Sequence, residues 1–546
     1  MTHHFPFIAI IVALLATSCG QKTVPADKPF IFARAADSQK LDPAAADDSE
    51  SAKVLGNICE GLVRFKSGTT QIEPCLAETW NLSSDARTCI VALREGVKFH
   101  DGTPLNAAVV AWNFNRQMDA NAPGHLPNAN PANGSALYRD IETVRVLDEQ
   151  RLEFRLKKPN AALLPNLATP FAYLISPRAF ADYGEGLSRH PVGTGPFKLR
   201  EWLPNERIVL EANPDYWGQK PKFDRVMFKV VPNSSARFIQ LQTGQVHAMD
   251  GLDPNDLASV RADRNLKLVE APGVNLAFLA FNCRKPPMER LEFRQAVALA
   301  IQKPPLIESV YRGAAVAANS VLPAALRGPD ANLEDWPRDI ERARNLIAQL
   351  QIVVRPITVS TNDAFGLPIT ITTNVIEHVE LPTLTLHVMT TPRPYLPNPM
   401  RAAELIKTDL ESIGLKIQIV PQNPAAHLAA VRNGEHALAL HGCIGRNGDP
   451  GSFLGIIDPE AGRAAIGINI SFLEDYQLAA ALNDGREQLD PERRAHAYLR
   501  ASALARERLP IIPLAYAHDI AALRQEVRDF VLQPTLDVRL APVWLK

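Results

Sequence analysis

The sequence has almost no net charge: 58 lysines and arginines stand against 59 aspartates and glutamates in 546 residues. Without a basic excess there is no electrostatic footprint for gripping nucleic acid through its phosphates. It also lacks a repeat of fixed period, which excludes a solenoid. No Gly-x-Ser-x-Gly elbow, His-Glu-x-x-His or Cys-x-x-Cys occurs, so the common hydrolase and zinc signatures are absent and no metal or cofactor is expected. The turn Gly193-Thr194-Gly195 lacks the lysine and following helix of a phosphate loop, and reads as a close-packed turn or a ligand-facing backbone. His100-Asp101-Gly102 reads as a turn rather than a proton relay. What is present is 46% hydrophobic residues, 21% charged residues and 44 prolines spread along the chain, the composition of a packed, loop-rich globular body.

Phe7 to Ala16 is an unbroken apolar run, too short to anchor across a bilayer and the right length for a secretory signal. Thr17-Ser18-Cys19 follows at once and resembles the lipobox of bacterial lipoproteins, in which the cysteine sulfur is acylated and becomes the new N-terminus. No Lys or Arg precedes the run, and Leu15 sits one position earlier than the usual leucine of that motif. An ordinary signal cut near Ser18 is the alternative. Residues 1–19 are thus read as a signal peptide with lipobox and 20–27 as a polar tether. Either reading places the protein in the periplasm or another extracytoplasmic space, held to the membrane through lipid on Cys19 in the first case. In an oxidising compartment some of the remaining cysteines should pair. Cys59 closes a helical stretch and Cys75 follows a Gly-Thr-Thr turn, so Cys59–Cys75 is the leading bridge and Cys75–Cys89 its rival.

Along the chain, strand and helix signals alternate. Phe30 to Ala35 starts extended, a helix ends near Cys59, and a hairpin lies around Lys66 to Thr70. Asn106 caps a helix through Trp112 and Phe114. Val144 to Leu156 reads as a β pair, Ser235 to Thr243 as a helix, Asn275 to Asn282 as an apolar strand and Phe293 to Ile301 as a helix. A helix over 401–413 precedes a strand from Lys416 to Val420, and a long helical stretch over 473–508 precedes strands at Ile511 to Tyr516. Val353 to Leu381, rich in alternating Thr, Ile and Val, reads as an extra hairpin or an inert surface excursion. The pattern is α/β with mixed sheets under helical cover.

Four strings occur in one order: LREGVKFHDGTPLNAAVVAWNF from Leu93, VGTGPFKL from Val192, NPDYWGQKPKFDRVMFKVV from Asn213 and LAFNCRKPPMERLEFRQAVALAI from Leu279. In order and spacing they resemble family 5 of the extracellular solute-binding proteins, the dipeptide- and oligopeptide-binding lipoproteins of ABC importers. The resemblance spans essentially the whole mature chain. It implies a two-lobed periplasmic-binding-protein fold (type II, large, cluster C-like) with an extra domain. Domain I would comprise 28–55, 190–271 and 511–546, domain II 56–189 and domain III 272–510, with crossings near Ala271 to Leu276 and Pro510 to Leu514. It implies a monomeric receptor without cofactor, which captures a peptide or related small molecule in the interlobe cleft and delivers it to an inner-membrane permease. A secreted hydrolase is the alternative from another class.

In dipeptide-binding members a guanidinium in an Arg-Pro-Tyr segment takes the ligand carboxylate, and here that segment is Arg393-Pro394-Tyr395. Their amine-binding aspartate sits in a stretch like Gly-Trp-Thr-Gly-Asp-Asn-Gly-Asp-Pro. This chain reads Gly442-Cys443-Ile444-Gly445-Arg446-Asn447-Gly448-Asp449-Pro450, so Arg446 replaces the aspartate and Cys443 the tryptophan. An arginine cannot accept a hydrogen bond from an ammonium. Three readings stay open. Arg446 faces the cleft and, with Arg393, selects an anionic, N-blocked or non-peptide ligand such as a nickel chelate, haem or sugar. Alternatively it pairs with Asp449, Asp47 or Asp48, and a peptide is still held with its amine near Asp47 or Asp48. In the third reading the loop has moved and Arg446 is solvated. The candidate ligand-binding set is Arg393, Tyr395, Cys443, Gly445, Arg446, Asn447, Asp449, Asp47, Asp48 and Ser49.

Overall fold

Asn275–Phe281 (NLAFLAF) is buried at every position, as expected of a strand covered on both faces. It lies inside a twelve-stranded sheet of the computed structural model, which describes residues 28–125, 140–327, 334–362, 368–460, 469–535 and 537–546. The signal, Cys19 and the tether over 20–27 lie outside these residues. On one side of Asn275–Phe281 come Leu438–Ile444, Leu384–Met389 and Ile417–Gln422; on the other lies the 14-residue strand Ile511–Arg524. Beyond that strand follow Ala248–Asp250, Phe30–Arg34, Arg225–Val230, Arg207–Ala212 and Phe197–Leu203.

Ile511–Arg524 joins the two halves. Ile511 to Ala515 pairs antiparallel with Ala280 to Ala277, and Ala515 to Ala517 with Ala317 to Ala315. From His518 the partner becomes Leu266–Pro272, and Ala521 to Leu523 also pairs with Ala248–Asp250. The change of partner therefore falls at Ala517 and His518, further along than Pro510 to Leu514, while on the opposite strand it falls between Pro272 and Asn275 as expected. At that break the buried Asn275 side chain replaces the missing ladder bonds: its Nδ2 donates to Ala517 O at 3.0 Å and its Oδ1 accepts from Ala517 N at 2.8 Å. A Cβ on Gly273 would come within 2.1 Å of Asn275 Nδ2 and 2.5 Å of Ala517 O, so a glycine is needed for the amide to fit.

The two halves have separate cores. One, around Phe30, Phe32, Ile58, Phe197 and Ala521, backs the first half; another, around Ala277, Phe293, Leu386, Leu440 and Ala515, backs the second. A four-stranded sheet, Ala77–Leu82, Thr88–Leu93, Arg151–Leu156 and Ile141–Val146, carries its own core beside the first half. The helix Ala107–Met118 covers it, with Phe114 meeting Phe154 edge-on at 5.0 Å. Asn106 caps that helix as expected, accepting from Val109 N at 3.0 Å. The fold is two-lobed and α/β.

Two of the four sequence strings converge on Glu60, a buried carboxylate. It accepts from Thr194 Oγ1, Tyr216 Oη and Trp217 Nε1, each at 2.8 Å. Burial pushes its pKa up, and these donors pull it down. The glycine turn is close-packed: Gly195 N donates to Ile58 O at 2.9 Å, and a Cβ on Gly193 would stand 2.1 Å from Ile58 O. His100 and Asp101 turn to different partners, His100 Nε2 to Gly195 O at 3.0 Å and Asp101 Oδ2 to Ser176 Oγ at 2.5 Å, so they form no relay.

The disulfide expectation needs correction, and two open readings are resolved. Cys59, Cys75, Cys89, Cys283 and Cys443 are all free, and neither the Cys59–Cys75 nor the Cys75–Cys89 bridge is formed. Cys75 Sγ instead points to Glu60 Oε1 at 3.8 Å, while Cys59 Sγ packs against Gly193, where a Cβ would be 2.8 Å away. The helical stretch over 473–508 is two helices, Tyr476–Glu487 and Pro491–Arg508, because the Asp490 side chain caps the second and Pro491 opens it. Ile352–Asn362 and Pro368–His378 form a hairpin that pairs with no other strand among the described residues.

Asn275→Ala would leave the Ala517 N–H and C=O without partners in a buried site. A loss of about 1 to 3 kcal/mol in urea-unfolding stability is expected.

Candidate functional site

The crevice between the two halves is walled on one side by the segment from Leu41 to the helix Ser49–Ile58. Asp42 shapes this wall: its carbonyl accepts from Ala45 N and Ala46 N at 2.9 and 2.8 Å, and its Oδ1 accepts from Ala44 N at 3.0 Å. The same carboxylate grips the guanidinium of Arg116 at 2.5 and 3.1 Å, a buried bidentate pair that ties the wall to the helix Ala107–Met118. Asp47 comes next, half-buried. Asp48 caps the helix, its Oδ1 accepting from Ser51 N at 2.8 Å and its Oδ2 from Ser51 Oγ at 2.6 Å. Ser49 is exposed at the first helical position.

The other wall is the end of Leu438–Ile444 and the turn after it. Gly445 N donates to Val274 O at 2.6 Å, and a Cβ on Gly445 would meet Val274 Cγ1 at 2.3 Å. Arg446 reaches across to the first lobe, its guanidinium 5.7 Å from the centre of the Phe171 ring. It is open to solvent along the crevice yet walled by protein; desolvation lowers its pKa and the Asp47 carboxylate raises it. Asn447 bridges the lobes, its Nδ2 donating to Asn166 Oδ1 and to Ser452 Oγ, both at 2.7 Å. Gly448 faces Thr70, where a Cβ would come within 2.6 Å. With Ala161 N donating to Arg486 O at 3.0 Å, these contacts hold the lobes together.

Asp449 is turned away from the crevice. It caps the short helix Pro450–Phe453 through Gly451 N at 2.8 Å and binds Arg494 Nη2 at 2.5 Å. Tyr395 lies flat on Gly442, where a Cβ would strike its ring at 2.2 Å, and its carbonyl accepts from Tyr311 Oη at 2.8 Å. Burial pushes the Tyr395 hydroxyl up to about 12, with Arg393 pulling the other way. Cys443 is half-buried and neutral, its thiol pushed up by burial. Arg393 is half-buried and makes no ion pair among the described residues; its Nε contacts Met389 Sδ at 3.3 Å.

Behind Arg393 stand histidines that no sequence motif singles out. His427, on the helix Pro424–Arg432, stacks on His441 with ring centres 5.3 Å apart and Nε2 3.2 Å from His441 Nδ1. His436 Nε2 faces Ile470 O at 3.0 Å, and His387 Nδ1 faces Gln422 Oε1 at 3.2 Å. Burial, with help from neighbouring histidines and Arg393, pushes His427 down to about 4 and His441 to about 3; burial and His387 push His436 down to about 3. They are neutral near pH 7, and the cations that bear on them are Arg393, Arg432 and Lys285. Only tertiary contact between the helix and two strands gathers them, so spacing along the chain carries no signal.

Two lobes joined through a shared strand, with charged side chains of both facing the seam between them, are the architecture of a solute receptor. The family model for bacterial extracellular solute-binding proteins, family 5, matches residues 71–464, and the chain belongs to that family. The dipeptide-binding protein of Escherichia coli (strain K12) is 30% identical over 488 residues, covering 87% of this chain and 86% of that protein. Heme-binding protein A of Haemophilus influenzae is also 30% identical, over 92% of this chain and 90% of its own. Among solved structures, the Helicobacter pylori periplasmic binding protein DppA in complex with peptide STSA superposes with a TM-score of 0.78 at 28% identity, covering 95% of this chain and 98% of that one.

A histidine whose pKa is lower in the folded state contributes stability that is present above its unfolded value near 6.5 and is lost as pH falls toward the folded value. Urea-unfolding stability is therefore expected to drop between pH 6.5 and 4, by up to about 1.4 kcal/mol per pH unit for each such histidine. His441→Asn should flatten that slope.

Proposed function

We propose that this chain is the extracytoplasmic receptor of an ABC importer that captures peptides in the interlobe crevice and hands them to a membrane permease. The observation that carries the reading is Arg393: a half-buried guanidinium without an ion-pair partner among the described residues, backed by neutral histidines and set beside Tyr395. A peptide carboxylate satisfies such a group in the bidentate geometry a guanidinium favours. The dipeptide in the name of the Escherichia coli relative and the peptide STSA bound by the Helicobacter pylori protein fit the same chemistry. Arg446 does not forbid this, because Asp47 offsets its charge. We assign lobe one to 28–55, 190–271 and 511–546 with the adjoining 56–189, and lobe two to 272–510. Closure then turns on the exchange of strand partners at Gly273 to Asn275 and Ala517 to His518. Lipid on Cys19 tethers the receptor, and it acts as a monomer.

A second reading is favoured by Arg446 itself: with Arg393 it puts two guanidinium groups in one crevice, which suits an anionic, N-blocked or non-peptide ligand. Native mass spectrometry of the chain from Gly20 onward, purified from rich medium and followed by release of whatever co-purifies, separates the two. A free-amine peptide is the expected result; an acidic, N-blocked or non-peptide molecule would replace the first reading with the second. Arg393→Ala is expected to weaken binding of a retained peptide by about 30-fold or more in calorimetric titration, the loss of a charge partner in a desolvated site.

A further inference from the structure

Of the carboxylates that the sequence points to around the crevice, Asp47 faces Arg446, Asp48 caps a helix and Asp449 is bound to Arg494. None stands open to receive an ammonium. Asp519 does. It lies on the shared strand Ile511–Arg524, one residue past the change of partners and opposite Ala271. Alternation along a strand puts Ala515, Ala517, Asp519 and Ala521 on one face. On that face Ala515 and Ala517 belong to the core of the second half, and Ala521 to the core of the first, which also holds Ala46 and Phe171. Asp519 thus sits on the shared strand where the two cores part. A Cβ on Gly273 would stand 3.1 Å from its Oδ1, and Val274 O accepts from Gly445 N, so Asp519 and Arg446 flank the same two-residue crossing.

The Asp519 carboxylate is half-buried and makes no hydrogen bond or ion pair among the described residues. Its neighbour His518 points to the opposite face, 3.7 Å from Glu270 Oε2, and does not serve it. Resting on the peptide reading above, we propose that Asp519 receives the ligand's ammonium group, in place of the aspartate that Arg446 supplants. An ammonium brings three donors and a full charge to an acceptor that otherwise has neither. Burial pushes the Asp519 carboxyl up to about 7, with no charged neighbour contributing, so an arriving cation would drive its ionisation. Asp519 belongs to the strand both lobes share and Arg393 to the second lobe, so one zwitterionic ligand would be held across the closing crevice.

The test pairs Asp519→Asn with the unaltered chain from Gly20 onward. Each is offered an equimolar library of free-amine peptides of two to five residues, and separately the same library N-acetylated, with binding read by native mass spectrometry. The unaltered protein is expected to retain free-amine peptides. Asp519→Asn should hold them about 30-fold more weakly, the loss of a charge partner in a desolvated site, while any acetylated peptide is held equally by both. Equal retention by the variant, or binding of acetylated peptides alone, overturns the role of Asp519 and leaves the receptor reading standing. No peptide bound from either library overturns both.

Two readouts separate an ammonium anchor from a merely structural residue. Affinity of the unaltered protein for a retained free-amine peptide, whose amine is mostly protonated at pH 7.5, is expected to fall about tenfold from pH 7.5 to pH 5.5, as the carboxylate takes up its proton; a flat profile overturns the proposal without any variant. Free of ligand, Asp519→Asn should melt higher than the unaltered protein at pH 8, because an unpaired buried carboxylate opposes folding once ionised. A lower melting temperature would mark Asp519 as structural and overturn the proposal.

Discussion

Everything in this molecule hangs on one strand that belongs to two lobes. Ile511–Arg524 must satisfy backbone partners in both halves while its neighbour, passing from Leu266–Pro272 into Asn275–Phe281, breaks step at Gly273 and Val274. A break in a buried ladder leaves a donor and an acceptor exposed to no water, a cost the fold cannot carry without a substitute. The Asn275 amide is that substitute, and Gly273 leaves the room for it. The crossing is therefore the place where the two halves of the sheet are joined by a side chain rather than by a continuous ladder.

The charges around that crevice fall into two groups. Asp42 with Arg116, Asp449 with Arg494 and Glu60 with its three donors are carboxylates whose charge is met inside the protein, and their task is to shape the walls. Breaking such a pair strands a charge in low dielectric, which costs far more than the pair itself contributes. Arg393 and Asp519 stand apart, since neither has an ion-pair partner among the described residues. Arg446 and Asp47 lie between the two groups, close enough to temper one another and still lining the crevice. A receptor needs both kinds: satisfied pairs for rigidity, and unsatisfied ones that a ligand completes.

The strings that carried the family resemblance turn out to be mostly scaffold. Thr194 from the glycine turn and Tyr216 and Trp217 from the Asn-Pro-Asp-Tyr-Trp segment meet at Glu60, far from Arg393 in sequence and role. They were legible because a buried carboxylate with three donors tolerates few residue types. The helix cap at Asn106 was legible for a similar local reason, the side chain serving its own neighbouring backbone, whereas Asp48, read as a ligand residue, caps its helix instead. The expected disulfides failed because proximity of Cys59 and Cys75 in sequence says nothing of where their sulfurs point, and Glu60 and Gly193 occupy those directions. The long helical stretch over 473–508 divides at Asp490-Pro491, a cap and a first-turn proline inside a periodic run.

By itself the sequence determined the class of fold, the family and the anomaly at Arg446, because periodicity, capping and motif order are properties of neighbours along the chain. It could not determine what Arg446 faces, which aspartates remain available, or that four histidines gather behind Arg393. Those depend on distances between segments separated by scores or hundreds of residues, as between Asp47 and Arg446 or Asn166 and Asn447. Only tertiary structure sets such distances, and with them the burial and pairing that separate a structural charge from one that binds.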